Sequence, residues 1–232
     1  MTNTTEKFWD NRTARKIGTG LLGVLAAVNM AAAEANVANG NGQRNEISFD
    51  LVPNPQTLEC LRANYNEEPR AHATVIRGKL NDTLILDLDG IKPGLQFDLF
   101  TVQNSPFLAN GTKDPAFTGS FGLAWYQSDI EIPRQTDRGH VRISTILLDQ
   151  IFGFDPDVKL PPTNTFHLGF WFNNPQDAAP APCNFNPSKP TPFNGEHKAG
   201  PFAMISLPEP DSNLGPLCTD PNLSTKPVSC DP

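Results

Sequence analysis

The chain has 232 residues and a formal net charge of −7, with 23 prolines and 17 glycines. So many breakers leave little room for long helices, so the expected class is all-β. With no run of lysine or arginine to offset the negative charge, nucleic acid and anionic lipid are excluded as expected partners.

The first stretch reads as an address. Lys7, Arg12, Arg15 and Lys16 form a basic start, residues 17–30 are largely apolar, and Ala33-Glu34-Ala35 offers a small-residue cleavage site, the pattern of a secretory signal peptide over residues 1–35. The apolar run is short for a hydrocarbon core, so the membrane is met only through this peptide before cleavage. Arg12 and Arg15 are not adjacent, as a twin-arginine signal requires, and no cysteine follows the site to take a lipid. Cleavage removes four basic and three acidic residues, so the mature chain from Asn36 carries a net charge of about −8. The expected location is extracellular, free or at the cell surface.

After a polar lead over 36–44, apolar and polar residues alternate with the period of two that marks strands with one buried face. Such runs occupy 46–52, 72–78, 83–89 and 95–103, the first three as an antiparallel meander. The turn Asp89–Gly94 between the last two holds Pro93, which presets φ, and two glycines that tolerate positive φ. A proline-containing loop over 104–118 leads to a long strand at 120–132, bent or bulged near Gln127-Ser128 where the alternation slips, and a return strand at 140–147. Residues 148–154 fit a short helix or a strand end, and 155–164 read as a loop. In Thr165–Phe172 the apolar Phe166, Leu168, Phe170 and Phe172 share one face, and so many aromatic and apolar residues predict a central strand. A long loop over 173–199 precedes a closing strand at 200–207. Residues 36–207 are thus expected to form a single β-sandwich of about eight strands, immunoglobulin- or fibronectin-like or jelly-roll-like, with long Pro-rich loops. Residues 208–232 are expected to be a Pro-rich tail.

Cys60, Cys183, Cys218 and Cys230 are an even set in an exported chain, so disulfides are expected in one of three pairings. Cys218 and Cys230 lie close together in the tail and close a local loop, which favours Cys60–Cys183 with Cys218–Cys230. None sits in a C-x2-C pair, so a zinc site is not expected.

Two resemblances follow from these segments. The corner from Leu88 through Gly90, Pro93, Gly94 and Phe97 resembles the corner motif of fibronectin type III domains, with Phe97 where that family has tyrosine, and implies a fold only. The segments Phe97–Phe100, Phe121–Ile130, His167–Pro175 and Phe193–Gly200 resemble an uncharacterised family of secreted bacterial β-sandwich proteins over roughly residues 50–207. That resemblance implies export and the Cys60–Cys183 pairing, and carries no catalytic residue.

Catalytic chemistry is weakly signalled. His72, His140, His167 and His197 include no H-x-H pair of the kind found in copper/zinc superoxide dismutases, and Ser120 lacks the strand-to-helix turn that makes a serine reactive. Asp129 and Glu131 share a strand face as glycosidase carboxylates do, a pattern common on solvated faces. Asp87/Asp89 and Asp155/Asp157 do not match a calcium loop. Leu207-Pro208-Glu209-Pro210 begins like a surface-sorting signal but lacks the apolar span and basic end, and Asn81, Asn110 and Asn222 open glycosylation sequons. No metal and no cofactor are expected. The expectation is a binding or interaction module for a glycan or an extracellular protein or peptide. Its alternatives are a glycan-acting hydrolase with a loop-built site and a calcium-stabilised structural surface protein. Opposite the core face of Thr165–Phe172, His167, Gly169 and Trp171 predict a shallow ligand-binding floor flanked by imidazole and indole. The alternative is that residues 173–199 fold back over this face and make Trp171 part of a second small core beneath the Cys183 loop.

Overall fold

The computed structural model describes residues 46–78, 81–136, 138–148, 153–155, 160–163, 165–188, 199–218, 221–222 and 229–230. The expected signal peptide, the polar lead, Asp157 and His197 lie outside the described residues. Eight alternating runs become strands close to their expected bounds: β1 (Glu46–Pro53), β2 (Arg70–Ile76), β3 (Asn81–Asp89), β4 (Gln96–Val102), β5 (Ala124–Glu131), β6 (Val141–Leu148), β9 (Thr165–Phe172) and β10 (Phe202–Ser206). The fold is all-β, and the described helical segments are one short α-turn, α1 (Leu58–Leu61), and a 3-10 turn over Pro175–Ala178.

These strands form one antiparallel sheet in the order β5-β4-β9-β10-β1-β2-β3-β6. The sheet is barrel-like: its two end strands, β5 and β6, come within 8 Å of each other between Cα atoms. β1, β2 and β3 make the expected meander. β3 and β4 flank the Asp89–Gly94 corner but pair elsewhere, β3 with β2 and β6, β4 with β5 and β9. The slip in alternation at Gln127 is a β-bulge, because Leu99 faces Ser128 while Phe100 faces Tyr126.

Alternation decides what fills the interior. Leu84, Leu86 and Leu88 of β3, Phe97 and Leu99 of β4, and the four even-numbered residues of β9 from Phe166 to Phe172 are fully buried in one core. Burying each such side chain contributes about 1.5–3 kcal/mol. Phe97 packs edge-on to Phe170 with ring centroids 5.0 Å apart. One end of this core is closed by α1 and the β3–β4 corner, where Leu61 and Ile91 are fully buried and Lys92 N–H donates to the Leu61 carbonyl at 2.7 Å. Cys60 of α1 is bonded to Cys183, tying the 173–188 loop to that end. Gly139 is needed beside the same corner: its φ is +62°, and a Cβ there would lie 1.5 Å from the Ile91 carbonyl oxygen.

Two segments differ from expectation. The loop expected over 155–164 contains strand β8 (Leu160–Thr163), which pairs with β7 (Gly153–Asp155). The first part of the expected tail, through Cys218, returns to the sheet. Strand β11 (Leu217–Cys218) pairs with Phe166 and Thr165 of β9, and Leu217 joins the main core. β10 pairs with β9 only as far as Gly169, so the backbone of β9 beyond it needs another partner, which β11 supplies. The approach is close: a Cβ on Gly215 would lie 2.3 Å from the Phe166 carbonyl oxygen. Further on, β12 (Pro221–Asn222) pairs with β13 (Ser229–Cys230). The expected Cys218–Cys230 bond lies outside the described residues, because neither side chain is among those described.

Candidate functional site

Every residue of β9 is buried, so its outward face is covered as well as its inward one. Trp171, only 1% exposed, lies in a second core with Val102, Phe107, Phe121, Ala199 and Ile205. Its ring meets Phe121 edge-on at 5.0 Å and Phe100 at 5.6 Å. The open floor expected at His167, Gly169 and Trp171 is therefore closed over Trp171, which sits in a second core as the alternative reading has it. The cover comes mainly from the loop before β5, through Phe107 and Phe121, because its aromatic residues bury more area there than they would in water. Gly169 sits beneath the indole: a Cβ there would lie 3.1 Å from Trp171 Cζ3, from the Met204 carbonyl oxygen and from Ile205 Cγ1.

At the other end of β9 the cover is incomplete. A pocket of about 390 Å³ opens between the 103–120 segment and the 208–215 turn, with His167 and Thr165 of β9 in its lining. His167 itself is 4% exposed. Its Nδ1 lies 3.2 Å from the Ser206 carbonyl oxygen and 3.4 Å from Ser206 Oγ; the nearer carbonyl can only accept, which assigns the proton to Nδ1 and the lone pair to Nε2. Burial lowers the imidazole pKa to about 4, with the hydrogen bond to the Ser206 backbone opposing the shift, so the ring is neutral at physiological pH.

The two walls are held by hydrogen bonds within the chain. Gln103 Oε1 accepts from Leu123 N–H at 3.2 Å, and Asn104 Nδ2 donates to the Ser120 carbonyl at 3.3 Å, which clamps the two ends of the 103–123 segment together. Ser105 Oγ accepts from Phe107 N–H and Ser120 Oγ from Gly122 N–H, both at 3.2 Å. Asp114 Oδ1 accepts from Ala116 N–H at 2.8 Å. On the opposite wall Asn213, with φ of +56°, donates its N–H to the Glu209 carbonyl. Among the described residues lining the pocket, Asp114 is the sole charged one. Of the three residues expected to form the site, then, His167 lines a pocket while Gly169 and Trp171 are packed away from it. Of the residues that the 103–120 segment brings to the lining, sequence reasoning weighs only Ser120, and that as a nucleophile it then sets aside.

The other candidate groups lie apart. His72 and His140 line a groove of about 340 Å³ on the outer face of β1, β2 and β3. There His72 Nδ1 lies 2.6 Å from Asp50 Oδ1, Arg142 reaches both carboxylate oxygens of Asp87 at 3.0 and 3.1 Å, and Arg138 reaches Asp89 at 3.2 Å. The Asp87/Asp89 pair considered for calcium is thus answered by two arginines. On β5, Tyr126 donates to Asp129 at 2.8 Å, while Glu131 accepts from Gln96 at 3.3 Å. Among the described residues no group of three His, Cys, Asp or Glu side chains is placed to hold a metal ion, and no helix is long and apolar enough to cross a membrane. Compared with protein families, curated proteins and solved structures, the chain matches none.

Proposed function

We propose that the protein is an exported, disulfide-bonded binding module that takes its ligand in the pocket between the 103–120 segment and the 208–215 turn. The observation that carries this reading is His167: a buried, neutral imidazole hydrogen-bonded through Nδ1 to Ser206, lining a pocket whose other walls carry amides, hydroxyls, aromatic rings and the Asp114 carboxylate. Pockets with a few oriented polar groups on a rigid frame are the usual small-molecule sites. Export is supported by the signal-like first 35 residues and by the Cys60–Cys183 bond, since such bonds persist in oxidising compartments.

A hydrolase reading is less well supported. Asp114 is the one carboxylate among the described lining residues, so a second carboxylate for acid–base partnership is not at hand there. An imidazole whose conjugate acid has a pKa of about 4 is also a weak general base at neutral pH.

The test is backbone NMR of the mature protein titrated with small neutral glycosides, short peptides and small amines. A binder should shift resonances of 103–120 and 208–215 together. Binding that maps to the β1–β2–β3 groove instead, or no binder from any class, would remove the pocket as the functional site.

A further inference from the structure

Resting on that reading of the pocket, we propose that its ligand is a neutral sugar unit, with one hydroxyl donating to Nε2 of His167 and an apolar face of the ring lying against Phe117. Charge makes the first selection. Among the described lining residues there is one carboxylate and no lysine or arginine. An anion entering here would lose its hydration beside Asp114 with no counter-charge to replace it.

Hydrogen-bond polarity makes the second. With its proton on Nδ1, His167 offers only a lone pair at Nε2, so the ligand must present a donor. An ammonium and a hydroxyl both qualify at that point, but the rest of the lining separates them. Ser105 and Ser120 each already accept a backbone N–H, which leaves the hydroxyl proton to be given to the ligand. Asn104 donates its amide to the Ser120 carbonyl and keeps its side-chain oxygen as an acceptor. A lining that mixes donors with acceptors is matched by neighbouring hydroxyls, which give and take at one atom. An ammonium gives only, and would offer no acceptor to the proton of the buried Ser105 hydroxyl.

Shape makes the third. Phe117 is half-buried, packs its ring edge-on to Phe121 at 5.2 Å and lines the cavity, so an aromatic surface stands beside the polar wall. The C–H face of a sugar is the apolar partner such a surface takes. About 390 Å³ is near the small end of the range for organic ligands, roughly 300–1,000 Å³, which suits a mono- or disaccharide unit.

The experiment is titration calorimetry on the mature, disulfide-bonded protein with methyl β-glucoside, methyl α-mannoside and diacetylchitobiose as neutral probes, lysine amide as the cation and glucose 6-phosphate as the anion. Imidazole 15N spectra are recorded in parallel. A neutral sugar should bind, should shift the His167 Nε2 resonance without protonating it, and should bind at least about tenfold more tightly than the phosphate. His167→Phe removes the acceptor. Because that residue is buried, Thr118→Trp serves as the second variant: Thr118 is exposed in the lining, so the indole fills the mouth without entering either core. Each variant should weaken sugar binding by about tenfold or more. Lysine amide binding in the pocket with no sugar bound would overturn the ligand class and leave the binding module standing. No binding by any probe would overturn both. Sugar binding unaffected by Thr118→Trp would place the sugar elsewhere and overturn this proposal alone.

Discussion

Trp171 occupies the space that a side chain on Gly169 would need: Cζ3 of the indole lies 3.1 Å from where a Cβ of residue 169 would stand. The two residues alternate on the outer face of β9, and the smaller one makes room for the larger. Trp171→Ala should therefore cost about 3–5 kcal/mol, and Gly169→Ala about 1–3 kcal/mol through overpacking against the Met204 carbonyl. Chemical denaturation of both variants measures this. A loss well under 1 kcal/mol for Trp171→Ala would mean that the indole is exposed in solution and the second core is wrong.

The His167 imidazole predicts a pH dependence with a definite sign. Its folded pKa of about 4 lies below the ordinary 6.5 because burial opposes the charged form. The unfolded chain takes up this proton first, so the stability is present in full above pH 6.5, falls as the pH drops, and is lost by pH 4. The loss amounts to roughly 3 kcal/mol. To isolate this one group, the comparison is with His167→Asn, which keeps a donor for the Ser206 carbonyl and does not titrate. The difference in unfolding free energy between the two proteins should narrow from pH 7 to pH 4. A difference that stays constant would show that residue 167 is not buried neutral.

Cys60 and Cys183 close a loop of 123 residues between α1 and the segment after the 3-10 turn. The chain-entropy account gives about 5 kcal/mol for a loop this long. The double variant Cys60→Ser, Cys183→Ser should unfold at correspondingly lower denaturant. Peptide mapping without reduction should recover the Cys60–Cys183 peptide. Finding Cys60 joined to Cys218 or Cys230 would contradict the pairing.

The return of the chain beyond β10 onto β9 predicts that Gly215 tolerates no side chain. Gly215→Ala puts a Cβ 2.3 Å from the Phe166 carbonyl oxygen, a contact no side-chain shift can relieve. It should displace β11, expose the 208–218 segment to protease, and weaken ligand binding, since Gly215 lines the pocket. Cleavage at the parent rate would show that this segment is not held on the sheet.

Export predicts a mature protein beginning near Asn36. Intact-mass measurement of protein recovered from the medium decides it, and a full-length mass there would remove the signal-peptide reading.

The eight main strands and the bulge at Gln127 were legible because alternation is a local property: period two states that a strand has a buried face, whatever its neighbours. The Cys60–Cys183 pairing was legible because four cysteines allow only three pairings and their spacing favours this one. Alternation does not state which strands pair, and β3 and β4, joined by the corner at Gly90, lie in different parts of the sheet. Nor does it state what covers an outward face. His167 and Trp171 are equivalent by periodicity, yet aromatic residues from the loop before β5 close over Trp171, while a pocket opens beside His167 where that loop and the 208–215 turn meet. That difference is made by segments distant in sequence, brought to β9 by burial of their own apolar side chains. Only the assembled tertiary structure decided which of the two residues would line a pocket and which would be packed into a core.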